Sequence, residues 1–318
     1  MTVTAPAPGV YTPSPTFFKA SGAPGRQELD IETQVNHTIY LAKNGIKGVV
    51  LLGSTGEMIH LTREERVALI AGTKKGLQAK GHGDFPILAG VAHHGVQDTI
   101  DEIKAMKEAG AVYAMALAPN YFAAKNTQQG LISWFVAVAD EAVLPIVIYY
   151  FPGVSNGLRM TPETIAKLSA HPNIVGIKQS HGDVSDYAQI GLNPEVQKND
   201  FAVMTGLGQL LLPAITVGIT GTIDAMSGAY PKLLVKLYEL SVAGKIKEAQ
   251  ALQYVVARCE ELVNTHGPVG SKHMVARVLG LSSEAELGRA PLNVALTSAQ
   301  KDSFEAALRE ADALEKSL

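Results

Sequence analysis

Seven short runs, at residues 48–53, 86–91, 111–118, 145–151, 173–178, 201–205 and 218–223, are of strand length and nearly all apolar. A strand with one wet face alternates apolar and polar residues; a strand covered on both faces does not. The runs are therefore expected to form a parallel sheet covered by helices. The segments between them carry helix start signals. Thr62 with Glu65 three residues on makes a capping box, and Thr161 is followed by Pro162 at the first helical position. With 10–18 as a first strand there are eight βα units, spaced roughly 30 residues apart. This predicts an α/β fold, a closed (β/α)8 TIM barrel, with a doubly wound open sheet as the alternative.

Beyond residue 225 the pattern turns helical, at 231–243, 245–263, 271–279 and 297–314, the last opened by a second capping box from Thr297 and Gln300. The stretch 282–296, with Gly288 and Pro291, reads as a loop. The expected organisation is a flexible N-terminal arm over 1–9, a barrel over 10–225 and a C-terminal helical extension over 226–318. A length of 318 residues alone leaves one domain or two open.

Composition narrows the partners. With 47% hydrophobic residues, 18% charged residues and a net charge of −3, the chain has ample material for a core and scattered basic residues. Neither nucleic acid nor an anionic membrane surface is an expected partner, and no apolar run approaches the ~20 residues of a membrane helix. A small molecule is. The first residues lack the basic and apolar regions of a secretory signal, and Cys259 has no second cysteine to pair with, so a cytoplasmic location is expected.

In a barrel of this kind catalytic side chains stand at the C-terminal ends of the strands. After the second run comes Gly53-Ser54-Thr55-Gly56-Glu57, where glycines admit a ligand close to the backbone and the Ser54 and Thr55 hydroxyls can hold a carboxylate or phosphate. The same residues also suit an ordinary turn. The fifth run ends in Tyr149, Tyr150 and Phe151, where a tyrosine either passes a proton in a dry pocket or simply packs. The sixth ends in Lys178; burial disfavours an ammonium and leaves an amine nucleophilic toward carbonyls, while a solvated lysine is the plainer alternative. His93 and His94 follow the third run as neighbours on an extended chain, so they point to opposite faces and do not suit one shared ion. No metal-ligand spacing is present, and no catalytic metal is expected. One of the histidines, His93, is expected to line the substrate pocket with Gly206 and Ile223, which close the last two runs.

Together and in this order, the three strand-end motifs resemble the pyruvate-dependent class I aldolases and lyases that include dihydrodipicolinate synthase, N-acetylneuraminate lyase and 4-hydroxy-2-oxoglutarate aldolase. The resemblance runs from Gly9-Val10-Tyr11-Thr12-Pro13 to the C-terminal helices. It implies that Lys178 forms a Schiff base with a 2-oxo acid, with no cofactor beyond that imine. Ser54 and Thr55 would then hold the carboxylate, and Tyr149 would carry the proton of the C4 hydroxyl. A second tyrosine, which in the family often reaches in from a neighbouring subunit, would complete the relay with Thr55; Tyr121 is the match, which implies a homo-oligomer, a dimer or tetramer.

Where dihydrodipicolinate synthase carries an arginine after Pro-Gly to clamp a second carboxylate, this chain has Val154 after Pro152-Gly153. Lysine biosynthesis is thereby disfavoured and an uncharged acceptor favoured. The run from His171 to Gly176 resembles the eukaryotic 4-hydroxy-2-oxoglutarate aldolases. The opening that leads into Thr16-Phe17-Phe18-Lys19 resembles the fungal branch that cleaves L-threo-3-deoxy-hexulosonate to pyruvate and L-glyceraldehyde in galacturonate breakdown. That reaction is the expected one, with cleavage of 4-hydroxy-2-oxoglutarate or 2-keto-3-deoxygluconate as alternatives. A metal-dependent aldolase and a catalytically inactive 2-oxo-acid binder are the rival classes.

Overall fold

A computed structural model of the chain describes residues 4–19 and 26–318. Residues 1–3 of the expected arm lie outside the described residues. Eight strands, β1 (Gly9–Pro13), β2 (Val49–Leu51), β3 (Ile87–Val91), β4 (Tyr113–Leu117), β5 (Ile146–Tyr150), β6 (Ile174–Gln179), β7 (Ala202–Thr205) and β8 (Gly221–Ile223), close in sequence order into one parallel barrel. The α/β barrel is therefore observed, and the open sheet is not.

The continuous apolar runs have a direct explanation in this closure. Along β5, Val147 and Tyr149 point into the barrel with Tyr11, Val50, Leu88, Met115 and Met204, while Ile146, Ile148 and Tyr150 pack outward beneath the helices. Both faces are dry, so both are apolar. The first run is shorter than its pattern suggests. Only Gly9–Pro13 is strand. Beyond it Pro15 offers no N–H to a ladder, and the chain leaves the barrel to form an isolated antiparallel bridge between Phe18 and Leu29.

The helices α1 (Ile31–Lys43), α2 (Arg63–Ala79), α3 (Val96–Ala109), α4 (Gln128–Glu141), α5 (Pro162–Ser169), α6 (Val184–Gly191), α7 (Pro194–Gln197), α8 (Leu211–Thr216) and α9 (Pro231–Val242) wrap the barrel. The sequence pattern assigns α9 to the appendix, but it packs against α8 and β1 and completes the helical ring. Next come α10 (Ile246–Leu279) and α11 (Ser298–Ser317). The two helices expected at 245–263 and 271–279 are halves of α10, broken at Gly267 with φ 56° and ψ −135°, a conformation glycine adopts without a Cβ clash.

Burial of charge ties this extension to the barrel mouth. Lys272 Nζ of α10 lies 2.6 Å from Glu57 Oε1, and neither side chain reaches solvent. The Arg289 backbone N–H donates to Glu57 Oε2 at 3.2 Å, and the Arg289 guanidinium forks onto Glu65 at 2.6 and 2.7 Å. Removing one partner of a buried pair strands the other charge, which costs about 3–5 kcal/mol. Lys272→Met is expected to lose that much stability in urea unfolding, and Glu57→Gln added to it should restore part. An unchanged midpoint in Lys272→Met would show the pair to be idle.

Candidate active site

Register places the central pair. In the parallel ladder Tyr149 of β5 is the direct partner of Lys178 of β6, so both side chains leave the same face at the C-terminal end of the barrel. Lys178 is 4% exposed, and its Nζ sits 4.7 Å from the centroid of the Tyr149 ring. Burial pulls the Lys178 amine down to about 8, against the opposing influence of the Asp224 and Glu260 carboxyls. The Tyr149 phenol is pushed up to about 12, again by burial, although hydrogen bonds with Ser54 and Ser180 work the other way. Near neutral pH the site thus holds an amine within reach of its neutral form and a phenol that keeps its proton.

The turn after β2 presents Ser54 and Thr55. It is tightly wound, with Leu52 at φ 63° and Glu57 at φ 53°, and it is held by Thr16 Oγ1 donating to the Gly56 carbonyl at 2.7 Å. Gly90 of β3 is what lets the turn lie so close, because a Cβ there would sit 1.9 Å from the Leu52 carbonyl oxygen. The Ser54 hydroxyl lies 3.2 Å from the Tyr149 hydroxyl, so the turn and the lysine are joined through one phenol.

Above these groups the cavity has two lobes that share Ser54, Tyr149, Val154 and Pro268. One, of about 400 Å³, is lined by Thr55, Lys178, Ser180, Gly206, Glu260 and Asn264. The other, of about 350 Å³, is lined mainly by apolar residues, among them Met58, Met115 and Leu117, with Glu57, His94 and Asn120 as further polar members. Gly206 keeps the first lobe open: a Cβ on it would meet Ser180 Oγ at 1.9 Å and Lys178 Cε at 2.8 Å. Each lobe is large enough for a small organic acid.

The structure thus brings Lys178, Tyr149, Ser54, Thr55 and Gly206 around one cavity. It does not place His93 there. His93 turns outward, its Nε2 3.8 Å from Glu102 Oε2, and the neighbouring His94 faces the cavity instead, as the alternation of an extended chain requires. His94 Nδ1 accepts from the Asn120 N–H at 3.2 Å, which leaves the ring hydrogen on Nε2. Ile223 is fully buried in the inner barrel cluster and does not line either lobe. Tyr121 stands 74% exposed, its ring against His94 and Phe122, outside both lobes of its own chain. Two carboxyls absent from the sequence reading, Asp224 and Glu260, lie near Lys178 and are both buried. Asp224 directly follows β8, so the rule that strand ends carry chemistry points to it. Glu260 lies within a helical pattern and carries no such signal.

Comparison with known proteins gives a consistent picture. The model of the Dihydrodipicolinate synthetase family matches residues 9–311. The chain is 31% identical over 315 residues to L-threo-3-deoxy-hexylosonate aldolase of Hypocrea jecorina, with 98% of each chain covered. It is 32% identical over 311 residues to a protein of Emericella nidulans named "Probable 4-hydroxy-2-oxoglutarate aldolase, mitochondrial", with 98% of this chain and 97% of that one covered. Among solved structures, that of a dihydrodipicolinate synthase family protein from Coccidioides immitis superposes with a TM-score of 0.86 at 30% identity, covering both chains fully.

Proposed function

The chain belongs to the dihydrodipicolinate synthetase family, and from that premise we propose that it is a pyruvate-forming class I aldolase whose only covalent group is an imine on Lys178. The observation that carries this reading is the pairing of Lys178, buried and with its amine drawn down toward neutrality, with the Tyr149 phenol beside it. Ser54 and Thr55 hold the carboxylate of the 2-oxo acid. The Lys178 amine attacks C2, and loss of water leaves an iminium. Tyr149 takes the proton of the C4 hydroxyl while passing its own toward Ser54, the C3–C4 bond breaks, and its electron pair moves into the iminium to give an enamine. The aldehyde leaves, the proton returns from Ser54 through Tyr149 to C3, and water returns pyruvate and the amine.

The substrate reading rests on charge. Among the described residues that line the two lobes, Lys178 is the one lysine or arginine. Val154 stands at the shared rim, and Glu260 adds a carboxyl rather than a cation. A substrate with a second carboxylate would leave that charge unpaired in a poorly solvated cavity, at a cost of several kcal/mol. The preferred substrate is therefore a 3-deoxy-2-oxo acid with a single carboxylate. L-threo-3-deoxy-hexulosonate fits, giving pyruvate and L-glyceraldehyde, a reaction of galacturonate breakdown. Pyruvate release from this compound, from 2-keto-3-deoxygluconate and from 4-hydroxy-2-oxoglutarate tests the point. We expect kcat/KM for the dicarboxylate to be lower by about 100-fold or more; equal or faster cleavage of 4-hydroxy-2-oxoglutarate would contradict the assignment.

The working form is proposed to be a homo-oligomer, a tetramer. Ile59, Tyr121 and Phe122 expose 77%, 74% and 69% of their surface near the cavity mouth, and apolar residues gathered at such a site suit a subunit contact that brings a neighbour's Tyr121 inward. No helix among the described residues is long and apolar enough to cross a membrane. A cytoplasmic location is proposed, in keeping with a lone buried cysteine, Cys259.

A further inference from the structure

Two carboxyls that the proposed mechanism leaves unused converge beside Lys178. Asp224 follows β8, Glu260 projects from α10, and both are almost fully buried. They meet over Gly208, in the turn after β7. A Cβ there would lie 2.7 Å from Glu260 Oε2 and 3.1 Å from Asp224 Oδ1, so the bare backbone is what allows both to approach. Glu260 Oε2 accepts from the Gln209 N–H at 2.8 Å, and Asp224 Oδ1 accepts from the Ser227 N–H at 3.0 Å. Asp224 Oδ2 is buried without a hydrogen-bond partner. Glu260 lines the same lobe as Lys178.

Two carboxylates this close do not both ionise in a dry site; they titrate as a unit. Burial raises both above the usual carboxylate range, Asp224 raises Glu260 further, and Lys178 restrains both. Among the described residues, Tyr187 of α6 and Cys259 of α10 are the other titratable groups that feel Glu260, and burial raises both so that they keep their protons. At neutral pH the pair thus carries one proton and one negative charge opposite the lysine.

We propose that Asp224 and Glu260 are positioning residues for Lys178, a carboxyl pair that takes up the proton the ammonium must lose before it attacks a 2-oxo acid and gives it back when the imine forms. The inference rests on the imine reading above. The step balances. The Lys178 ammonium passes one proton to the pair through water in the lobe that Lys178 and Glu260 share, the free amine adds to C2 and the N–C bond forms, the carbinolamine C–O bond breaks, and the stored proton leaves with that oxygen as water. The iminium then faces the pair's restored single negative charge. A lone carboxylate would hold Lys178 as an ammonium, whereas an uncharged wall would leave the iminium without a counter-charge.

The test is borohydride trapping of the pyruvate imine in the full chain, followed by intact mass between about pH 6 and pH 9. Glu260→Gln leaves Asp224 as a fixed carboxylate. Its half-maximal trapping is expected to move up by about one pH unit, so that trapping is about tenfold slower near pH 7 and recovers near pH 9. Glu260→Asp, which retains a proton to share, should move the profile back toward wild type. A profile for folded Glu260→Gln that overlays wild type, or that is depressed equally at every pH as a purely structural role would require, overturns the inference. Should Glu260→Gln fail to fold, the wild-type infrared spectrum near pH 7 decides. A buried protonated-carboxyl stretch that changes on adding pyruvate supports the pair, and its absence overturns it. No adduct in wild type removes the imine reading itself, whereas an adduct in wild type with an unmoved Glu260→Gln profile defeats this inference alone.

Discussion

Replacing Lys178 with methionine is expected to lower kcat by about 10⁴-fold or more while leaving the barrel folded. Methionine has nearly the reach of lysine and fills the same apolar space beneath the Tyr149 ring without an amine. Lys178 is 4% exposed, and among the described residues no carboxylate lies within ion-pair distance of its Nζ. Removing the amine lets the Asp224–Glu260 pair rise further and take up a second proton, so no charge is stranded and stability should change little. The loss belongs to chemistry alone, because without the imine the electrons of the C3–C4 bond have no sink. Thermal unfolding of the variant within a few degrees of wild type, alongside kcat on L-threo-3-deoxy-hexulosonate, separates the two effects. A folded Lys178→Met enzyme that retained activity within tenfold of wild type would remove the amine from the mechanism.

Tyr149→Phe is expected to lose less, about 10² to 10⁴-fold in kcat, the range for one positioned proton carrier. The ring that covers Lys178 Nζ at 4.7 Å remains, so KM should change only slightly. What goes is the hydroxyl 3.2 Å from Ser54 Oγ, and with it the route for the C4 proton. Because the amine survives, the variant should still trap pyruvate with borohydride. Retained trapping with failed cleavage is the pattern that marks a proton carrier; loss of both would make Tyr149 a support for Lys178 instead. The two substitutions therefore probe different steps at neighbouring ladder positions.

Much of this arrangement is legible in the chain because a barrel strand has a period of two and its residues are dry on both faces. The seven apolar runs mark β2 to β8 closely, and the end of each strand is where polar residues become worth reading. Lys178 and Tyr149 stand out on that ground, and the register of β5 against β6 sets them side by side. The histidine choice turns on phase, since one residue decides whether a side chain faces the cavity or α3, and the sequence does not say at which residue β3 releases the chain. That is why His94 rather than His93 lines the cavity. Tyr121 lies on a segment whose exposure depends on what covers it. Glu260 and Lys272 are harder still. Both sit on α10, where a charged residue in a helical pattern reads as solvated surface; only docking of that helix on the barrel mouth turns one toward Lys178 and the other onto Glu57. Such long-range burial has no local signature.

The central claim is an imine on Lys178, and one measurement addresses it directly. The wild-type protein, incubated with pyruvate and reduced with borohydride, is digested and its peptides weighed. The account predicts irreversible inactivation and a single reduced-pyruvate adduct on the peptide carrying Lys178. Full activity after reduction, an adduct on another lysine, or activity abolished by a chelator with no adduct formed would contradict it.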